Sequence, residues 1–378
     1  MSDISPARIG FLVDTARNPE QPYAPDMLPI FEMVAEEYTA QGLLDRPVEL
    51  VVRAVLGLPR GSFRAVRDAF YELVEEDCLV VFGPYVSENT VPLREHVERT
   101  AQVPILSMAG TETMLGEWVF ALNNGSMPEE PRIMAAVATY DGCTSVGIAY
   151  EASLIGEEYL RSTRVACKEY GLRVTAEVAI PQVEHEKQAA MAELAGERPD
   201  AIMHVGFGLG LFGMNEALQE LEWMPRRYTT TAFEFAAGSP EQCRRLAGWV
   251  GLDSYDERNQ VGQDFLDRYH ARTGRRPAYF MPVYLYDMAR VIVTAIADAR
   301  PLTGLGVKEA LERIKMMPAA SGAPGTRLRF GRYIRQAWVG SEYLVARRVL
   351  DDGSGTVIYG TIEGLVTGTA VAAPADDS

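Results

Sequence analysis

Cysteine and histidine are scarce, four of each in 378 residues, and neither kind clusters. Cys78, Cys143, Cys167 and Cys243 stand far apart with no CxxC, which argues against a structural zinc site and a redox pair. A chain of this length buries its own core without disulfides, so these read as free, mostly buried thiols. His96, His185, His204 and His270 show no HxxxH spacing, and no metal site is expected. Basic charge is short as well: 36 Lys and Arg face 52 Asp and Glu, for a net charge of -16. A phosphate backbone needs a basic face, so nucleic acid is excluded as a partner. No apolar run approaches the roughly 20 residues that span a bilayer, and membrane insertion is not expected. The opening MSDISPARIG has neither a basic n-region nor an apolar h-region, which gives a cytoplasmic reading. A true start lying upstream would make it periplasmic or cell-surface instead. GxSxG, a Walker A lysine and HExxH are all missing, and no enzyme is expected. The adjacent acids Glu75-Glu76 and Glu129-Glu130 read as helix-end residues rather than paired catalytic carboxylates.

What is present is an alternation of short β-rich runs and longer amphipathic segments, the pattern of parallel strands joined by crossover helices. Strands are predicted at Ile9 to Asp14, Pro47 to Val52, Cys78 to Gly83 and Pro104 to Met108. Helices fall between them at Met27 to Tyr38, Phe63 to Glu75 and Ser87 to Thr100. The pattern restarts with strands Ser145 to Tyr150, Leu172 to Ile180, Ala201 to Val205 and Tyr228 to Phe233, separated by helices Gly156 to Tyr170, His185 to Ala195 and Phe212 to Leu221. Three more helices and a β-rich end must pack back on these lobes. The fold class is therefore α/β, with two doubly wound Rossmann-like lobes and a hinge of crossovers. Residues 1–122 and 252–324 are assigned to the first lobe, 123–251 and 325–366 to the second, and 367–378 to a disordered tail.

AIMHVGFGLGLFG, residues 201–213, contains Gly208-x-Gly210-x-x-Gly213 after a predicted strand, with Glu234 twenty-one positions past Gly213 at the end of the next one. That is the outline of a dinucleotide fingerprint. It sits at the third strand of the second lobe rather than opening a domain, and no His-Asp pair or Tyr-x-x-x-Lys accompanies it for proton transfer. NAD thus stands as the alternative, within an enzymatic reading that also includes a hydrolase with its site in the cleft. The expected state is no cofactor.

The order and spacing of IGFLVD, VFGPYVSENTVPL, PILSMAGTE, the GEE helix start after AYEASLI, and YFMPVYLYDMARVI resemble the type I periplasmic-binding-protein superfamily. The likeness extends to leucine/isoleucine/valine-binding proteins and to the cytoplasmic amide sensor of the amidase operon. It implies a non-enzymatic protein that closes two lobes on a small amphipathic ligand (an amino acid, an amide or a larger apolar catabolite) for solute uptake or cytoplasmic sensing. Ser87 and the run Ala109, Gly110 and Thr111 fall where the amino-acid binders hold a ligand carboxylate with hydroxyl and N–H donors. Glu234 falls where they place an acid for the ligand ammonium. Ile155 and Phe207 stand where the amino-acid binders carry aromatic walls, and with Phe233 they imply a wider, oilier pocket. Tyr23 and Tyr85 form one wall in this reading. Ser87 keeps a second reading as a helix N-cap, and Thr111 as a turn residue. The resemblance also implies an ABC permease or a regulatory protein as partner, and a homodimer.

Overall fold

The computed structural model describes residues 5–15, 26–181, 186–208, 210–236 and 240–367; the expected wall residue Tyr23 and the tail from residue 368 lie outside them. The apolar run at the N-terminus forms β1 (Ala7–Val13), followed by α1 (Met27–Ala40), β2 (Val48–Ala54), α2 (Phe63–Glu75), β3 (Val80–Phe82), α3 (Ser87–His96), β4 (Ile105–Ser107) and β5 (Val119–Ala121). The alternation then begins again with α4 (Glu129–Tyr140), β6 (Ser145–Glu151), α5 (Leu154–Glu169), β7 (Arg173–Ile180), α6 (Lys187–Ala195), β8 (Ala201–Val205), α7 (Met214–Glu220), β9 (Arg226–Thr229), α8 (Ala232–Ala236), α9 (Pro240–Arg245) and β10 (Val250–Asp253). The end of the chain supplies α10 (Gln260–Thr273), α11 (Phe280–Asp298), α12 (Gly304–Leu311), β11 (Met317–Pro318), β12 (Arg327–Leu328), β13 (Val345–Val349), β14 (Thr356–Gly360) and α13 (Ile362–Thr367).

These elements divide into two compact units, residues 1–124 with 257–340 and residues 125–256 with 341–378. The first unit carries a five-stranded sheet in the order β2-β1-β3-β4-β5, every neighbour parallel. Parallel sheets have both faces covered by helices, which is why β1 and β3 are almost wholly apolar. α2 shows how a helix joins that layer: Val66, Ala69, Phe70 and Leu73 recur at helical spacing and are buried, while the Ser62 hydroxyl accepts from Ala65 N at 3.2 Å to start the helix. Their side chains meet Leu12, Val81, Ile105 and Val119 in one core cluster.

The second unit carries a seven-stranded sheet, β14-β13-β10-β9-β8-β6-β7, parallel from β10 to β7 and antiparallel where β13 and β14 close its edge. Phe233 lies in this unit's core beside Trp249 and Val349. It packs so tightly that a Cβ on Gly251 would stand 2.3 Å from the Phe233 Cβ. Phe233, expected to line a ligand pocket, is a buried member of this unit's core cluster.

Two other expectations shift. The strand expected over Tyr228 to Phe233 ends at Thr229, because Phe233 N turns back to Thr230 O at 3.0 Å and Thr231 N is claimed by Glu130 Oε2 at 2.6 Å. Residues 325–340, expected in the second lobe, are held in the first unit by Ala121 N donating to Arg335 O at 2.8 Å and Trp338 Nε1 donating to Asn123 O at 2.8 Å. Residues 252–256 belong to the second unit for the matching reason that β10 pairs with β9 and β13.

Candidate functional site

In doubly wound sheets, ligands meet the protein beyond the carboxyl ends of the strands. In the first unit that region is built around the loop from β3 into α3. Gly83 has φ +108°, and a Cβ there would lie 2.2 Å from Leu12 O, so only glycine lets the loop pass over the end of β1. Asp14, the residue after β1, is buried beneath the loop. Its carboxylate accepts from Tyr85 N at 2.8 Å, Val86 N at 3.2 Å and Asn89 Nδ2 at 2.7 Å. Asn89 also exchanges bonds with the Leu58 backbone at 2.9 and 3.1 Å. Burial pushes the Asp14 carboxyl up to about 6, against the pull of those donors.

Ser87 opens α3 but does not cap it: the cap position is Val86, which has extended backbone and no side-chain cap bond. The N-cap reading of Ser87 is thereby corrected. Ser87 is buried. Thr90 steadies the same turn, its hydroxyl donating to Val86 O at 3.0 Å. Ser107, at the end of β4, donates to Pro84 O at 2.5 Å and accepts from Ala109 N at 3.1 Å. One serine thus ties the β3 loop to the β4 loop. Ala109 and Thr111 are buried and Gly110 is half-buried. The Thr111 hydroxyl pairs with that of Thr113 at 2.9 Å and accepts from Thr113 N at 3.3 Å, so the turn reading of Thr111 holds. The Tyr85 ring lies 5.2 Å from that of Phe82, and its hydroxyl reaches Met27 Sδ at 3.5 Å. Tyr85, Ser87 and the run Ala109 to Thr111 are therefore brought to neighbouring strand ends of one sheet.

The second unit repeats the arrangement. Glu151 ends β6, the first strand of its unit, and is buried. It accepts from Phe207 N at 3.1 Å, Gly208 N at 2.9 Å and Gly210 N at 2.6 Å. His204 Nε2 stands 3.5 Å away, and the other nitrogen of that ring faces Thr229 Oγ1 at 3.0 Å. Burial opposes the charge of Glu151, yet His204 and the backbone donors outweigh it and hold the carboxyl below its ordinary value. A Cβ on Gly206, where φ is +153°, would lie 2.6 Å from the Glu151 side chain. The glycine run thus exists to wrap an internal carboxylate. The N–H groups of Phe207, Gly208 and Gly210, which a cofactor pyrophosphate would need, are taken by Glu151, and this loop does not fit NAD.

Glu130 forms a second buried knot. Its Oε1 accepts from Ser126 N and from the Tyr159 hydroxyl, both at 2.6 Å, while Oε2 takes Thr231 N. Gly125 permits this, since a Cβ there would lie 2.1 Å from Glu130 Oε1. Burial pushes the Glu130 carboxyl up to about 7. Glu234, in α8, is buried rather than solvated. Its Oε1 accepts from Ser254 N at 3.0 Å and Ser254 Oγ at 3.1 Å. Ile155, in the first turn of α5, is buried, and Phe207 is half-buried in the glycine loop. Ile155 lies one turn before Tyr159, and Glu234 three residues after Thr231, so Glu130 braces both segments.

Sequence reasoning did not single out Asp14 or Glu151, and it read Glu130 only as a helix-end acid. A signal for two of them was available. IGFLVD and SVGIAYE are the first strands of their units, and each apolar run ends on an acid. Among the described residues no group of three His, Cys, Asp or Glu side chains could hold a metal ion, and the four cysteines are buried and form no disulfide.

A family model described as periplasmic binding protein matches residues 6–341. No curated protein matches the chain. Among solved structures, the chain is similar to an ABC transporter substrate-binding protein from Desulfitobacterium hafniense in complex with Leu, at 14% identity and TM-score 0.75, covering 93% of this chain and 100% of that one. It is similar to a leucine binding protein from Thermotoga maritima MSB8, at 17% identity and TM-score 0.74, covering 93% and 97%. A putative branched-chain amino acid ABC transporter from Rhodospirillum rubrum is similar at 17% identity and TM-score 0.66, covering 94% and 100%.

Proposed function

The chain belongs to the periplasmic binding protein family, and from that premise we propose that it is a non-enzymatic solute-binding protein of the ABC-transporter substrate-binding type. Its ligand is a small amphipathic molecule, received by polar groups at the strand ends of the first unit. Binding shifts the protein toward a ligand-closed state because the ligand has higher affinity for it, and a permease or a regulatory protein reads that state.

The observation that carries this reading is the gathering of Tyr85, Ser87 and the loop Ala109 to Thr111 at adjacent strand ends, fastened by Ser107. Ser87 is buried there with a hydroxyl that has no partner among the described residues. A hydroxyl without a protein partner is open to donate to a ligand or accept from it. Two similar structures are described as leucine-binding or Leu-bound, which supports a ligand with a branched apolar part. Ile155 and Phe207 supply apolar surface of suitable kind in the second unit. The occupied glycine loop supports this reading over a dinucleotide enzyme.

A thermal-shift screen over amino acids, amides, amines, short acids and aromatic or sterol catabolites tests it. A saturating ligand at about 100 times its Kd stabilises by about 2.7 kcal/mol. A shift with NADH and with no member of the solute panel would reverse the assignment.

A further inference from the structure

The chain's excess of acid hides a local reversal. Residues 313–335 hold six Arg or Lys and no Asp or Glu, in a chain of net charge -16. They fold into a small antiparallel extension at the β5 edge of the first unit's sheet. β11 pairs with β12 through Met317 and Leu328. On the other side of β12, Arg329 N donates to Ala337 O at 2.7 Å and Val339 N to Arg327 O at 3.1 Å. Ala337 N in turn donates to Ala121 O, in β5, at 2.9 Å. Burial alternates along β12 and the residues after it: Leu328 and Phe330 are buried, whereas Arg327 is half-buried and Arg329 exposed. The turn beyond presents Arg332 and Tyr333. Tyr333 is 87% exposed, and the Arg332 guanidinium lies 5.6 Å from the centre of its ring.

Leu328 and Phe330 supply the buried side of this extension, so packing gives no reason for the outer side to be basic. Internal pairing gives none either. Arg335 is buried and answered by Glu312 at 2.8 Å, but among the described residues the side chains of Arg327, Arg329 and Arg332 meet no carboxylate and make no hydrogen bond. Lys315 donates only to main-chain carbonyls, those of Glu312 and Phe330. Other arginines on the surface are answered, Arg132 by Glu129 and Glu169 and Arg272 by Glu36. Arginine and tyrosine are also the residue types that dominate binding energy at protein interfaces.

We propose that this face, formed by Arg327, Arg329 and Arg332 around Tyr333, docks a short acidic segment of a partner protein. Arg327 and Arg329 stand two positions apart on one strand, roughly 7 Å, which is the spacing of alternate side chains in an extended peptide. A duplex or an anionic bilayer is the poorer fit. Either one reaches past the patch onto a chain that is otherwise predominantly acidic, and screening hides like charges only beyond about 8 Å at physiological salt. The proposal does not depend on the solute-binding reading.

The experiment is calorimetric titration of the full chain, without solute, at pH 7.5 and low salt. The probe is an acetylated and amidated octapeptide that alternates Glu with Thr, and its control alternates Gln with Thr. The expected result is saturable binding of the Glu peptide that weakens at least tenfold in the triple variant Arg327→Ser, Arg329→Ser, Arg332→Ser, whose Tm stays at the native value, and no binding of the Gln peptide. Arg329→Gln alone should weaken binding several-fold and decides the matter should the triple variant not fold. Failure of the Glu peptide to bind, equal binding of the Gln peptide, or undiminished binding by the variants overturns the proposal. Tighter binding of an oligo-dT strand or of phosphatidylglycerol vesicles than of the Glu peptide also overturns it, in favour of a polyanion.

Discussion

Replacing Glu130 by Gln isolates the cost of keeping one carboxylate dry. Glu130 is fully buried, and burial raises its carboxyl from the ordinary 4.5 to about 7. That difference of about 2.5 units corresponds to about 3 kcal/mol at roughly 1.4 kcal/mol per unit. Because the folded-state value lies above the unfolded one, the folded chain binds the extra proton between these two pH values. Folding stability therefore rises as pH falls through about 7 and levels off near 4.5, the reverse of a salt-bridged acid. Asp14, raised from 3.8 to about 6, acts in the same direction within the first unit. Glu151, held below its ordinary value, acts the other way at lower pH. Subtracting the Glu130→Gln curve from the native curve removes these other groups. The assay is urea unfolding at pH 8 to 4.5, with hydrogen exchange in β6 and β8 reporting on the second unit. The native chain should gain about 3 kcal/mol relative to Glu130→Gln across that range. The Gln amide must also face a donor, Thr231 N or Ser126 N, which adds a constant offset but no slope. Parallel curves for the two proteins would refute the reasoning, since they would show that Glu130 titrates alike folded and unfolded.

Removing the Glu151 carboxylate as Glu151→Ala leaves the N–H groups of Phe207, Gly208 and Gly210 buried without their acceptor; a loss of about 3 kcal/mol or more is expected in urea unfolding, and a loss under 1 kcal/mol would contradict the knot. Asn89→Ala breaks its bonds to Asp14 and Leu58, so the chain should lose about 2 kcal/mol and the loop of Tyr85 to Ser87 should exchange amide hydrogens faster. Phe233→Ala empties a core position and should cost about 3 to 5 kcal/mol while leaving ligand affinity of the folded protein within a few-fold, whereas a selective loss of affinity would return Phe233 to the pocket wall.

The architecture was legible because its strands are apolar runs with helical periods between them. α2 and β8 match their expected limits residue for residue. The elements that escaped are short or lack a pattern of their own. β5 and β10 have three and four residues, and Gly251 interrupts the second. α4 begins with two acids and a proline, which obscured its apolar face, although Ile133, Met134 and Val137 are buried. β9 was drawn too long because nothing within Thr229 to Phe233 announces that Glu130, 101 residues earlier, will claim Thr231 N. The same blindness hid Asp14, Glu130 and Glu151. An acid is expected at the surface, and their main-chain partners lie in segments brought together only by the fold. The candidate loops of Ser87 and Thr111 were found through resemblance, but the sequence does not disclose that Ser107 joins them.

The most direct test of the account pairs one ligand from the thermal-shift screen with the double variant Ser87→Ala, Thr111→Ala. The native chain should be stabilised by about 2.7 kcal/mol at 100 times Kd, and the variant, still folded, should show no shift at the same concentration. An undiminished shift in the variant would place the ligand away from the strand ends of the first unit and contradict the account.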